Sequence, residues 1–262
     1  MLRSLYTAAT GMGAMQKNIS VISNNLANVN TLGFKRSRAE FQDLLYQTER
    51  MPGTKAPGGT QVPTGIQIGM GTKLAAVSKL HTQGDFEQTG NELDLSIEGK
   101  GFFQVLQADG SIGYTRVGSF RLDSSGQLVS SDGEPLDPSI IIPQDAMVIS
   151  IAKNGEISVT QPGSPLPNVV GQIELVNFVN PAGLNSEGGG IYKETEASGT
   201  PMVGIPGESE LGTIMQGFVE SSNVNVVEEL TNMILAQRAY ELNSKGITTS
   251  DEMLQTATNL KR

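Results

Sequence analysis

The chain has 262 residues, 37% of them hydrophobic and 17% charged, and a formal charge of −9. That balance suits a folded protein with a real core and argues against disorder. With no cysteine in the chain, disulfides and thiolate metal sites are excluded.

The charge is unevenly placed. Residues 1–39 hold no acid and five bases, whereas residues 40–224 hold 22 acids against nine bases. Such a middle repels nucleic acid and anionic membrane, so neither is expected as a partner. No stretch approaches the roughly 18 apolar residues of a membrane span, and none is expected to insert. The opening residues lack the unbroken apolar segment of a cleaved secretory signal.

In chain order, the first element is a helix. Leu5, Ala8, Met12, Met15, Ile19, Ile22, Leu26 and Val29 fall at alternating steps of three and four, a coiled-coil seam. Asn28, Asn30 and Gly33 supply stop signals. Residues 34–72 then read as a connecting segment whose stretch 51–65 is rich in glycine and proline.

The middle, residues 73–221, reads as β structure. Phe102–Gln107, Met147–Ile151, Glu156–Val159 and Ile173–Phe178 are rich in β-branched and aromatic residues. The pairs Asp109-Gly110, Ser125-Gly126, Asp132-Gly133 and Asn154-Gly155 punctuate the region with turns. Residues 181–210 read as a loop.

The chain closes on a second long helix, with Asn225 as N-cap and Glu228 near a capping-box position. Its apolar stripe, Val226, Met233, Tyr240, Ile247 and Leu254, repeats every seven residues, and the alternate seam positions, Leu230, Gln237, Ser244 and Asp251, turn polar after the first turn. Gly246 lowers helix propensity and is expected to mark a kink. The fold class is therefore α+β. Residues 1–33 and 222–262 form a terminal helical domain beside a mostly β middle.

A search for catalytic chemistry finds none. His81 is the single histidine, in a polar stretch, and reads as an ordinary surface or strand residue. Ser150-Ile-Ala-Lys153 matches Ser-x-x-Lys, but lies on a strand where positions three apart face opposite ways. Glu92 and Asp94 have no partner acid or base and read as a solvated strand face. Neither a phosphate loop nor a calcium loop is present, so no cofactor or metal is expected. What remains is a surplus of apolar helix at both ends, which needs a covering surface. Periodicity leaves open whether that surface lies within the chain or on another subunit.

Three segments carry a resemblance: Ser23-Asn-Asn-Leu-Ala-Asn-Val-Asn-Thr-Leu-Gly-Phe-Lys35, Leu93-Asp-Leu-Ser-Ile-Glu-Gly-Lys-Gly-Phe-Phe103, and Gly217-Phe-Val-Glu-Ser-Ser-Asn-Val-Asn225 with Gln237-Arg-Ala-Tyr-Glu-Leu-Asn-Ser-Lys245. Together they resemble the flagellar axial family of rod and hook proteins. The opening Leu5–Met12 and the run Ser37–Tyr46 lie closest to its distal-rod members. The resemblance implies that Asn24, Asn25, Asn28, Asn30, Gly33, Phe34, Asn223, Asn225, Gln237 and Arg238 are signature positions, and that the two apolar stripes pack between subunits. It implies a non-enzymatic subunit that polymerises into a hollow rod spanning the periplasm in the basal body. Its partners would be further copies of itself, proximal-rod and hook proteins, the surrounding peptidoglycan and outer-membrane ring proteins, and the export apparatus, which passes the chain without a cleaved signal. The alternatives are a proximal-rod or hook paralogue, or a monomeric β binding module with a helical stalk.

Overall fold

The computed structural model describes residues 2–53, 63–162, 167–208 and 210–259. Much of the Gly/Pro-rich stretch, residues 54–62, lies outside them. Two compact units emerge. One contains residues 1–27, 37–78 and 225–262, the other residues 28–36 and 79–224.

The first unit is built on helices α1 (Leu2–Ala27) and α2 (Val226–Asn259). They pack together along their lengths. Asn225 caps α2 as expected, its Oδ1 accepting the backbone N–H of Val227 at 3.0 Å and of Glu228 at 3.2 Å. The predicted α1 seam holds from Leu5 to Leu26, where each seam residue is buried or half-buried, but Val29 lies beyond the helix end.

The helix contact is antiparallel and keeps one register. Ser4 Oγ lies 3.4 Å from Ser250 Oγ, Ala8 opposes Gly246, Gly11 opposes Asn243, and Asn25 Nδ2 donates to Glu229 Oε2 at 3.3 Å. Small residues set this approach: a side-chain carbon at Gly11 would come within 3.0 Å of Asn243 Nδ2. Gly246 thus lies within one continuous helix and serves close packing against Ala8.

Residues 37–78 are more regular than their sequence suggests. Ser37–Asp43 pairs with Thr72–Lys79, and Tyr46–Arg50 pairs antiparallel with Ile66–Gly69. These strands are largely exposed, and three of the four carry charged residues, so no sustained apolar alternation announced them.

The second unit is the expected β region. Its largest sheet has five strands in the order Leu136–Asp137, Phe103–Leu106, Ile112–Thr115, Ile191–Lys193, Asn185–Gly188. A three-stranded sheet joins Val148–Ile151, Glu156–Thr160 and Asn168–Gln172. All four anticipated strands are present. The four turn glycines, Gly110, Gly126, Gly133 and Gly155, take the positive φ that hairpin turns require.

The stretch 181–210 departs from expectation, because it contributes Asn185–Gly188, Ile191–Lys193 and Met202–Gly204. Tertiary pairing supplies what local composition does not: Ile191 and Tyr192 pair with Thr115 and Tyr114. Glu92 also differs, sitting in a turn where Oε2 accepts the Ile149 N–H at 3.2 Å.

The core of this unit centres on Leu95, Ile97, Phe103, Val105, Ile157 and Leu175. A second cluster gathers Phe102, Tyr114, Phe178 and Tyr192, its rings meeting edge to face. The acids Glu92, Asp109, Asp132, Glu187 and Glu196 are all exposed on the chain.

Candidate functional site: a buried ion cluster at the signature segments

The N- and C-terminal signature runs lie almost two hundred positions apart in sequence, yet they share one buried site in the β unit. Its centre is Glu220, on the strand Phe218–Glu220 that pairs antiparallel with Phe86–Gln88. Its Oε1 accepts from Lys35 Nζ at 2.6 Å and from the Gly84 N–H at 2.9 Å. Its Oε2 lies 3.5 Å from Arg116 Nε. All three side chains are out of solvent: Lys35 is 0% exposed, Glu220 1% and Arg116 5%.

Neighbouring backbone completes the cluster. Lys35 Nζ also donates to the Thr82 carbonyl at 2.8 Å, and Arg116 Nη2 donates to the Gly99 carbonyl at 2.6 Å. The Gly33 N–H donates to the Glu220 carbonyl at 2.8 Å. Gly33 has a φ of 65°, and a side-chain carbon there would fall 2.9 Å from the Arg116 carbonyl carbon. Both observations leave glycine as the residue that fits.

Asn223 acts as a backbone clamp beside the ions. Its Oδ1 accepts the Arg36 N–H at 2.7 Å, and its Nδ2 donates to the Leu80 carbonyl at 2.9 Å and to Thr82 Oγ1 at 2.8 Å. In the helical unit Asn25 plays a similar part, exchanging hydrogen bonds with the Ser37 backbone at 2.8 and 2.9 Å.

The other signature residues divide. Phe34 lies 5.6 Å below the Lys79 ammonium, and Asn28 accepts from Thr31 Oγ1 at 3.1 Å. Asn24, Asn30, Gln237 and Arg238 are exposed, with Arg238 paired to Glu241 at 2.9 Å on the helix surface. Of the predicted α2 stripe, Met233, Ile247 and Leu254 are half-buried, while Val226, Leu230 and Tyr240 are exposed. Lys35, Arg116 and Glu220 were not singled out from sequence. The available signal was an acid inside the apolar run Gly217-Phe-Val-Glu220, where a solvated carboxylate is out of place.

Burial sets the electrostatics. Desolvation pushes Lys35 below its ordinary value, opposed chiefly by the Glu220 carboxylate. Arg116 is lowered by desolvation in the same way. His81 is not the plain surface residue its sequence context suggests. It is half-buried, with its ring 5.6 Å from Phe102 and 5.4 Å from Tyr192. Desolvation first, then the charges of Lys35, Lys79 and Arg116, bring its pKa down to about 4. It is neutral at pH 7.

The comparisons with known proteins bear on the same segments. Residues 5–35 match the family described as flagella basal body rod protein. Residues 96–159 match the flagellar hook protein FlgE/F/G D1 domain, and residues 215–260 match the flagellar basal body rod FlgEFG protein C-terminal. The chain is 52% identical over 260 residues to the flagellar basal-body rod protein FlgG of Buchnera aphidicola subsp. Acyrthosiphon pisum, covering 99% of this chain and 100% of that protein. It is 49% identical over 264 residues to FlgG of Borreliella burgdorferi and 42% over 267 residues to FlgG of Bacillus subtilis, each pair covered in full. The chain belongs to the FlgG family of flagellar basal-body rod proteins. It is a structural subunit of the distal rod and not an enzyme. No helix among the described residues is long and apolar enough to cross a membrane.

Two outcomes test the cluster. Two cations share one carboxylate, so deleting the acid and deleting one base are not equivalent. Glu220→Gln leaves both cations uncompensated and is expected to cost about 3–5 kcal/mol of unfolding free energy. Lys35→Met leaves one matched pair and is expected to cost about 1–3 kcal/mol. Urea unfolding followed by circular dichroism measures both, and equal losses would contradict this charge count.

The second outcome concerns pH. A histidine whose folded pKa lies below its unfolded value stabilises fully above about 6.5 and loses that contribution as pH falls towards about 4. The loss over that window approaches about 3.5 kcal/mol, at about 1.4 kcal/mol per pKa unit. His81→Phe should reduce the stability difference between pH 7 and pH 4.5 by a measurable part of this. An unchanged pH dependence would show that His81 does not titrate as described.

Proposed function

We propose that the chain polymerises through its paired terminal helices into a hollow distal rod that carries torque from motor to hook. The observation that supports this is the outer face of α2. Val227 is 73% exposed and Leu242 69%, and Leu230, Ile234, Leu235 and Met253 are also exposed. Val227 and Ile234 lie opposite the face formed by Glu229, Ala236, Asn243 and Ser250, which is turned towards α1, and Leu230, Leu235 and Leu242 flank that outer side.

The side of α2 turned to α1 is small and polar, whereas its outer side is apolar and, among the described residues, uncovered. Each bulky side chain left in water forgoes about 1–2 kcal/mol of burial free energy. A continuous exposed stripe of this kind marks an interaction surface. A second copy presents the same helices, and head-to-tail repetition of one such contact builds a helical tube.

In this reading residues 1–33 and 222–262 form the assembly core, 34–72 connect, and the acidic β region of 73–221 faces outwards. The seam residues Leu5, Ala8, Met12, Met15, Ile19, Ile22, Leu26 and Val29 line the subunit contacts together with Val226, Leu230, Met233, Tyr240, Ile247 and Leu254. The rod assembles with other rod and hook components and passes through the peptidoglycan and outer-membrane rings. The chain reaches the periplasm through the flagellar export apparatus.

Electron microscopy of concentrated protein tests this reading. Wild-type protein is expected to form straight tubes. Ile234→Asp combined with Leu242→Asp, both at exposed positions, should abolish tubes while the circular dichroism of the dilute protein stays unchanged. Normal tubes from the double variant would refute the role of this face.

A further inference from the structure

The β unit contains a cavity of about 400 Å³ that the ion cluster leaves partly unexplained. Phe102, Phe178, Val179, Pro181 and Met202 make its apolar walls, and His81 and Arg116 lie at its polar end. Its volume falls in the range of small-ligand sites, roughly 300–1,000 Å³.

Arg116 is the informative residue. It is 5% exposed. Its Nε faces Glu220 and its Nη2 binds the Gly99 carbonyl. Its Nη1 is buried with no hydrogen-bond partner among the described residues, and so is His81 Nδ1. A guanidinium nitrogen without an acceptor in such a place carries a desolvation cost.

The charge count points the same way. Lys35 and Arg116 are both buried and share the single buried carboxylate of Glu220. One positive charge is left over. The Phe102 ring, 5.8 Å from the guanidinium carbon, offsets part of it. Lys79 adds another cation nearby, bonded to the neutral Ser186 hydroxyl at 2.9 Å. The remaining acid at the cavity is Glu210, and it faces Lys100 at 3.8 Å on the exposed rim, so that pair cancels itself.

We propose that this cavity is a binding site for an organic carboxylate on an apolar body. The carboxylate would accept from Arg116 Nη1 and neutralise the surplus charge, and its hydrocarbon part would fill the space between Phe102, Phe178 and Met202. An inorganic anion would match the charge but leave the apolar walls uncovered. A neutral ligand would cover the walls but leave the charge. The same chemistry is offered by a free organic acid and by an Asp or Glu side chain of a second copy of this chain.

His81 is the single histidine in the sequence, so its ring signals report on the cavity without overlap. In the dilute full-length chain, titration with 3-phenylpropionate should shift those signals saturably, and 3-phenylpropionamide should bind at least ten-fold more weakly. Met202→Trp, at a half-exposed position on the cavity wall, should weaken the acid ten-fold or more without unfolding the protein. The proposal is overturned if acid and amide bind alike, if neither shifts His81, or if the Trp variant binds the acid unchanged. Repeating the titration on assembled protein separates the sources. A cavity that still takes the probe is one for a free acid, whereas His81 signals already at the probe-saturated position assign the carboxylate to a neighbouring copy.

Discussion

Glu220 is one carboxylate receiving two buried cations and a backbone N–H, and much of the second unit is arranged around that requirement. Lys35 arrives from the segment after α1, Gly84 from the segment before Phe86–Gln88, and Arg116 from the end of the strand Ile112–Thr115. A buried carboxylate is tolerable only when its charge is compensated, so these segments must close on it together. The chain passes from the β unit into α2 five residues after Glu220, and the residues that follow α1 are held in the same unit. Long signature runs at both ends of the sequence are two halves of one site.

The terminal helices follow a different logic. Near their outer ends they meet through Ser4, Ala8, Gly11, Asn243, Gly246 and Ser250, which bury little apolar area. Bulky residues of α2 face away from that contact instead. A pair optimised as an isolated hairpin would place leucines and isoleucines inward. Here close approach is secured with small side chains, and the apolar stripe is left for other surfaces, which is the economy expected of a repeating subunit.

Much of this was legible in the sequence, for identifiable reasons. Long helices with sustained periodicity announce themselves, as do strands bracketed by Asp-Gly and Asn-Gly turns, and the α+β organisation followed from those signals. Strands such as Ser37–Asp43 were not legible, because exposed and charged strands carry no alternation. The strands within 181–210 owe their form to partners distant in sequence, such as Tyr114 for Tyr192. The ion cluster was the largest omission. Its members lie singly in separate segments, and no spacing rule links Lys35, Arg116 and Glu220. His81 showed the same limit: a polar sequence context concealed an aromatic, cation-lined pocket.

The central claim is that the two signature segments fold with the β core as one cooperative structure organised by Glu220. Native-state hydrogen exchange under increasing urea tests it most directly, at the amides of Gly33 and Gly84, which donate to the Glu220 carbonyl and carboxylate. The account predicts that both exchange only through global unfolding of the β unit, with the same free energy and urea dependence as Val105 in its core. Exchange of Gly33 or Gly84 through small local openings, insensitive to urea while Val105 stays protected, would contradict it.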